Sequence, residues 1–193
     1  MAEKPYHHGD LRAALLAAAE SELAEKGVEG FSLRSVAKRA GVSHAAPAHH
    51  FGDVKGLLTA LSAEGFRRFQ ATLDASEEGA LDARDRAIRA GEGYLTFALA
   101  RPTLFRLIFS SKKPDFGDAD LMAAGDTAYC HLVWLVEELG GSTADVAALW
   151  AMSHGIADLA AGQRLRMMEN LTEAERKAMV RELIARVLPG ARG

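Results

Sequence analysis

The chain has 193 residues, 49% of them hydrophobic and 25% charged, with a formal net charge of -3. That length suits one domain or two small ones with a sizeable core, and no run of about 18 apolar residues is present to cross a membrane. Alanine and leucine supply 37 and 24 residues, against 20 for valine, isoleucine and threonine together. Strong helix formers therefore outweigh the β-branched residues that strands prefer, and the expected fold class is all-α.

The opening residues 1–10 are polar and lack a signal-peptide pattern. Cys130 is the one cysteine, without a disulfide partner or a CxxC metal spacing. A reduced, soluble, cytoplasmic protein is expected. Over residues 10–26, Leu11, Leu15, Ala18, Ala19 and Leu23 recur three and four apart, one face of an amphipathic helix, and Gly27 is placed to end it. Residues 28–31 read as a turn and Ser32 as an N-cap. A second helix over 33–39 turns Leu33, Val36 and Ala37 inward. Gly41 gives a turn, Val42 an apolar plug, and Ser43 a second N-cap for a short helix over 44–51. Three helices in so short a stretch, the last two joined by a tight glycine turn, form a helix-turn-helix arrangement.

Asp53 is placed to cap a fourth helix carrying Leu57, Leu58, Leu61, Phe66 and Phe69, interrupted at residues 76–79. A fifth spans 81–100, and Pro102 opens a sixth that holds Leu104, Phe105, Leu107, Ile108 and Phe109. After a loop over 110–117, a seventh helix covers 118–139 and an eighth 143–168. Thr172 and Glu175 fit a capping box for a ninth that ends at Leu188. The expectation is nine helices and no strand.

The net charge hides a local contrast. Residues 30–55 carry Arg34, Lys38, Arg39 and Lys55 against Asp53 alone, with His44, His49 and His50 in the same window. Such an island is either a solvated helix face or a site for phosphate.

Residues 31–43, reading FSLRSVAKRAGVS, followed by His50 and Phe51, resemble the DNA-binding domain of the TetR family of transcriptional regulators. Residues 23–27, LAEKG, resemble the end of that family's opening helix. Ala37 lets two helices approach, Gly41 permits the turn, and Ser43 starts the recognition helix. Residues 149–155, LWAMSHG, are similar to the Trp-x-x-x-His-Gly signature of one group of TetR-type effector domains, and 101–109 to a segment that group often carries. The resemblance implies a helix-turn-helix DNA-binding domain over 1–55 and a larger helical ligand-binding and dimerisation domain over 56–193. It also implies a homodimeric repressor on a palindromic double-stranded DNA operator, released by a small, largely apolar effector. Three positions depart from the pattern: Pro47 replaces a common leucine, Ala48 a common tyrosine, and Val54 the usual lysine, with Lys55 one place later. Pro47 lacks a backbone donor, so the recognition helix is expected to begin one residue late.

The N-terminal residues of a recognition helix meet base edges while nearby cations hold phosphates. Ser32, Arg34, Ser35 and Lys38 are the candidate phosphate or edge contacts. Ser43, His44, Ala45 and Ala46 lead the recognition helix, His49 faces DNA or solvent at its other end, and Lys55 stands where it could replace the missing lysine. His50 reads as a packing residue. Ala45 and Ala46 suit a thymine methyl, which leaves specificity to His44 and DNA shape.

Phe97, Phe105, Phe109, Met122, Tyr129, Cys130 and Trp134 lie on helices that line the family's ligand cavity, though an aromatic stripe at helical spacing equally makes a core. His154, with Asp158 four residues on, either takes a polar ligand group or a metal, or packs as a hydrogen-bonded histidine. Val146, Trp150, Ala157 and Ala160 on the eighth helix, with Leu183 and Val187 on the ninth, are dimer contacts or an internal core. No cofactor, metal site or catalytic residue is expected. An enzyme using His154, Asp158 and Cys130 would lack any phosphate loop, nucleophile elbow or paired metal motif. A helical interaction module would give no salt-sensitive, palindrome-specific DNA complex.

Overall fold

The computed structural model describes residues 8–168 and 170–190; the polar segment 1–7 lies outside them. The described residues form α1 (His8–Lys26), α2 (Leu33–Ala40), α3 (Ala46–Phe51), α4 (Val54–Glu77) and α5 (Ala83–Ala100). They continue with α6 (Pro102–Phe109), α7 (Ala119–Glu137), α8 (Thr143–Ala161), a 3-10 turn at Arg166–Met168 and α9 (Glu173–Val187). The fold is all-α, with no strand among these residues, and no described helix is long and apolar enough to cross a membrane.

The fifth and eighth helices depart from their expected bounds for identifiable reasons. The fifth helix starts at Ala83, not Leu81, because the Asp82 carboxylate accepts the Asp85 N–H at 2.7 Å and caps it; Leu81 is left exposed. The eighth stops at Ala161, seven residues short of Met168. Gln163 adopts a left-handed φ of 54°, the Gln163 N–H meets the Ala160 carbonyl at 2.9 Å, and the Arg164 N–H meets that of Leu159 at 2.8 Å. This is a Schellman motif with glutamine in the place glycine usually takes.

The described residues divide into two compact units, 8–65 with 103–122, and 66–102 with 123–190. In the first, α1 packs on α2 and α2 on α3. Of the expected stripe of α1, Leu15, Ala18, Ala19 and Leu23 are buried and Leu11 is half-buried, and Leu16 adds to it. Gly65 brings α4 close to α6, since a Cβ there would lie 2.8 Å from Ile108 Cγ2. Glu22 is also buried in this unit, 1% exposed. Its carboxylate lies 2.7 Å from Lys26 Nζ and 3.1 Å from an Arg39 guanidinium nitrogen. Contact with Lys26 first, then Ser35 and Arg39, outweighs burial and holds the carboxyl at about 2.

In the second unit, α5 packs on α8 and α9, and α8 on α9. Ala87, Ala90, Gly91, Leu95, Phe97 and Ala98 of α5 face inward. At Gly91 a Cβ would fall 2.7 Å from Ile184 Cγ1, so the glycine sets how closely α9 approaches. Arg181 of α9 reaches Asp85 at 2.6 Å and Glu92 at 3.2 Å, and Arg84 donates to the Ala185 and Pro189 carbonyls at 2.7 and 3.1 Å. The expected capping box opens α9: Glu175 N–H donates to Thr172 Oγ1 at 3.3 Å, and Thr172 N–H to the Glu175 carboxylate at 2.7 Å.

Candidate nucleic-acid interface

Ser32 is extended, with φ -148°, and its hydroxyl accepts the Ser35 N–H at 3.2 Å to start α2. The two serine hydroxyls lie 2.6 Å apart and both residues are half-buried. Arg34 and Lys38, one turn apart on α2, are exposed, and neither has an ion pair or hydrogen bond among the described residues. Arg39 differs. It is held by Glu22 and Glu25 of α1, so its charge is neutralised inside the unit. Gly41, at φ 69°, closes α2 as the Val42 N–H bonds the Ala37 carbonyl at 3.1 Å.

The recognition helix begins at Ala46, two residues after His44, and Ser43 is not its N-cap. A helix starting at His44 would need the Pro47 N–H to bond the Ser43 carbonyl, and proline has none. Instead that carbonyl takes the Ala46 N–H at 3.0 Å in a turn, and Pro47 falls in the first helical turn, where no donor is required. Pro47 is buried, so its ring fills the core position where a leucine was expected. Ser43, His44, Ala45, Ala48 and His49 are exposed, and Ala46 and His50 half-buried. The His50 ring lies edge-on to His49 at 5.7 Å and near Phe51 at 6.1 Å, and the Arg12 guanidinium sits 5.5 Å from the Phe51 ring.

After Gly52, at φ 76°, Asp53 caps α4 by accepting the Gly56 N–H at 2.8 Å. Lys55, exposed in the first turn of α4, has its Nζ 2.8 Å from Asp115 Oδ2 in the α6–α7 loop. The Lys55 ammonium, with the Gly117 N–H behind it, holds the Asp115 carboxyl below the usual carboxylate range. Among the described residues, two cations of the basic island thus project unpaired and two are paired internally.

Of the expected ligand residues, Phe105, Phe109 and Met122 belong to the first unit and Phe97, Tyr129, Trp134 and His154 to the second. Phe97 and Phe105 are fully buried, with Phe109 packed 5.1 Å from Phe105, whereas Met122, Tyr129 and Trp134 are exposed on α7. Asp158, four residues on from His154, pairs with Arg164. The His154 Nδ1 lies 3.0 Å from the hydroxyl of Tyr94, a residue that spacing along α8 could not reveal. The Trp150 indole N–H donates to the same Tyr94 oxygen, and Phe69 and Phe97 enclose that corner. Burial pushes the Tyr94 phenol up, and burial also pushes His154 down, against the pull of Asp158. Tyr94 and His154 therefore form an uncharged pair, in which the imidazole tautomer decides which of the two donates. Cys130 is exposed, His131 is 2.6 Å from Glu77, and the described residues contain no His/Cys/Asp/Glu cluster able to hold a metal.

Of the expected dimer residues, Val146 and Ala157 have almost no free surface, and Val146 belongs to the second unit's core with Ile184 and Leu149. Trp150 is 45% exposed, and Ala160, Leu183 and Val187 lie half-buried against the core.

Residues 15–61 match the family described as bacterial regulatory proteins, tetR family, and residues 86–186, over half the chain, match the tetracyclin repressor-like C-terminal domain. The chain belongs to the TetR family. A protein of unknown function from Rhodococcus sp. RHA1 is 38% identical, over 96% of this chain and 99% of that one, with a TM-score of 0.80. A TetR-like transcriptional regulator from the same organism is 19% identical over 96% and 99%, with a TM-score of 0.70. The fatty acid degradation regulator FadR of Bacillus halodurans is 17% identical over 100% and 99%, with a TM-score of 0.68. The last two share the fold. No curated protein matches. As a TetR-family protein the chain is a DNA-binding transcriptional regulator, with its helix-turn-helix in α2 and α3.

Proposed function

We propose that this TetR-family regulator is a homodimeric repressor, acting in the cytoplasm on a palindromic operator and released by a small, largely apolar ligand. The observation that carries the reading is the pair of exposed cations Arg34 and Lys38, without partners among the described residues, beside the exposed turn Ser43, His44 and Ala45. Cations without an intramolecular partner are free to hold phosphates, and a short helix gives specificity only when two copies meet successive major grooves. In this reading residues 1–55 form the DNA-binding domain. Ser32, Arg34, Ser35 and Lys38 hold the backbone, and Ser43, His44, Ala45, Ala46 and His49 face the bases.

Residues 56–193 form an effector and dimerisation domain of the Trp-x-x-x-His-Gly group, represented by Trp150, His154 and Gly155. Dimer contacts come from the accessible faces of Trp150, Ala160, Leu183 and Val187. The neutral His154 and Tyr94 pair, bordered by Phe97 and Tyr129, suits a ligand that is apolar apart from an uncharged polar group. Such a ligand releases DNA only by preferring one state of the protein over the other.

A gel shift on DNA upstream of the coding region, followed by footprinting, tests the whole reading. The expected result is a salt-sensitive complex over a palindrome, and a dimer in sedimentation. An asymmetric footprint or a stable monomer at micromolar concentration would refute it.

A further inference from the structure

We propose that Asp115 lowers the DNA affinity of this protein by standing in for a DNA phosphate at Lys55. The inference rests on the reading of Lys55 as a backbone contact. Lys55 is in the first turn of α4, where an anion also meets the positive end of the helix. Its ammonium already has an oxyanion partner, the Asp115 carboxylate at 2.8 Å, supplied from 60 residues away.

That carboxylate is held in place rather than swinging freely. The Asp115 N–H donates to Thr59 Oγ1 at 2.8 Å, and Thr59, itself 5% exposed, donates to the Lys55 carbonyl at 2.8 Å. Asp115 Oδ1 accepts the Gly117 N–H at 3.2 Å, and its carbonyl accepts the Asp118 N–H at 3.1 Å. Pro114 beside it is buried. The loop is thereby fastened to the same helical turn that carries the lysine. Lys55 is 56% exposed and Asp115 54%, so the pair is weak enough for DNA to break. A phosphate must displace the carboxylate to use the ammonium, and each protomer of a dimer repeats that competition.

The test is a double-mutant cycle on the full chain, read by fluorescence anisotropy on a random-sequence duplex across about 50 to 200 mM salt. Asp115→Asn removes the charge but keeps the N–H bond to Thr59 and an oxygen for Gly117. It should tighten binding roughly two- to five-fold per protomer and steepen the salt dependence by up to about 0.9 per protomer. Lys55→Met should weaken binding and flatten the slope, and adding Asp115→Asn to it should change nothing further. An equal gain from Asp115→Asn in both backgrounds would overturn the proposal, because Asp115 would then act only through bulk charge. A slope unmoved by Lys55→Met would instead remove Lys55 from the DNA interface and the proposal with it.

Discussion

Replacing Glu22 by glutamine isolates one buried charge in the DNA-binding unit. The carboxylate is 1% exposed and joins Lys26 at 2.7 Å to Arg39 at 3.1 Å, so it fastens the end of α2 to α1. Lowering its carboxyl from 4.5 to about 2 on folding corresponds to about 3 kcal/mol at about 1.36 kcal/mol per pH unit. Lys26 and Arg39 are 44% and 34% exposed, and solvent screening of both reduces this to roughly 1 to 2 kcal/mol. Because the folded value is the depressed one, the contribution is complete above 4.5 and fades as pH falls toward 2. Urea unfolding of wild type and Glu22→Gln, followed by circular dichroism, should give curves separated by that amount at neutral pH and converging as the solution is acidified through this window. A gap that stays constant with pH would refute the electrostatic argument and point to packing alone. Equal stability at neutral pH would remove Glu22 as a link between the helices.

The cations of α2 should separate by assay: Arg34→Ala and Lys38→Ala each flatten the salt dependence of DNA binding by up to about 0.9 per protomer, while Arg39→Ala shows mainly as a lower unfolding midpoint. Gly91→Ala should destabilise the second unit by about 1 to 3 kcal/mol, because the new methyl meets Ile184 at 2.7 Å; thermal melts should show part of the loss restored by Ile184→Val. Gln163→Gly relieves a left-handed residue at the end of α8 and should raise stability by about 0.5 to 1 kcal/mol in denaturant titration.

The helices were legible wherever a period of three or four residues met a local stop signal. Leu15, Ala18, Ala19 and Leu23 are buried as their spacing predicts, and Pro102 and the Thr172 and Glu175 box mark their helices. The eighth helix misled because its terminator is Gln163, a residue with no propensity for the conformation it adopts. The recognition helix misled because Ser43 is a good cap by type, while the donor missing at Pro47 overrides it. Within the candidate interface, residue type identified the cations but not their partners. Glu22 to Arg39 and Lys55 to Asp115 span 17 and 60 residues, and nothing in local spacing encodes such pairings. Tyr94 was missed for the same reason, its partner His154 lying 60 residues on.

The internal pairing of Arg39 and Lys55 bears on how such a regulator finds its site. Sequence-independent attraction to phosphates decides how long a protein lingers on the wrong DNA, and it grows with every unpaired cation. A chain that ties up two of the four Lys and Arg cations of residues 30–55 spends less time on random sequence and depends more on the contacts it makes with bases. Its search is then less a slide along the duplex than repeated brief trials, each released quickly unless the bases fit.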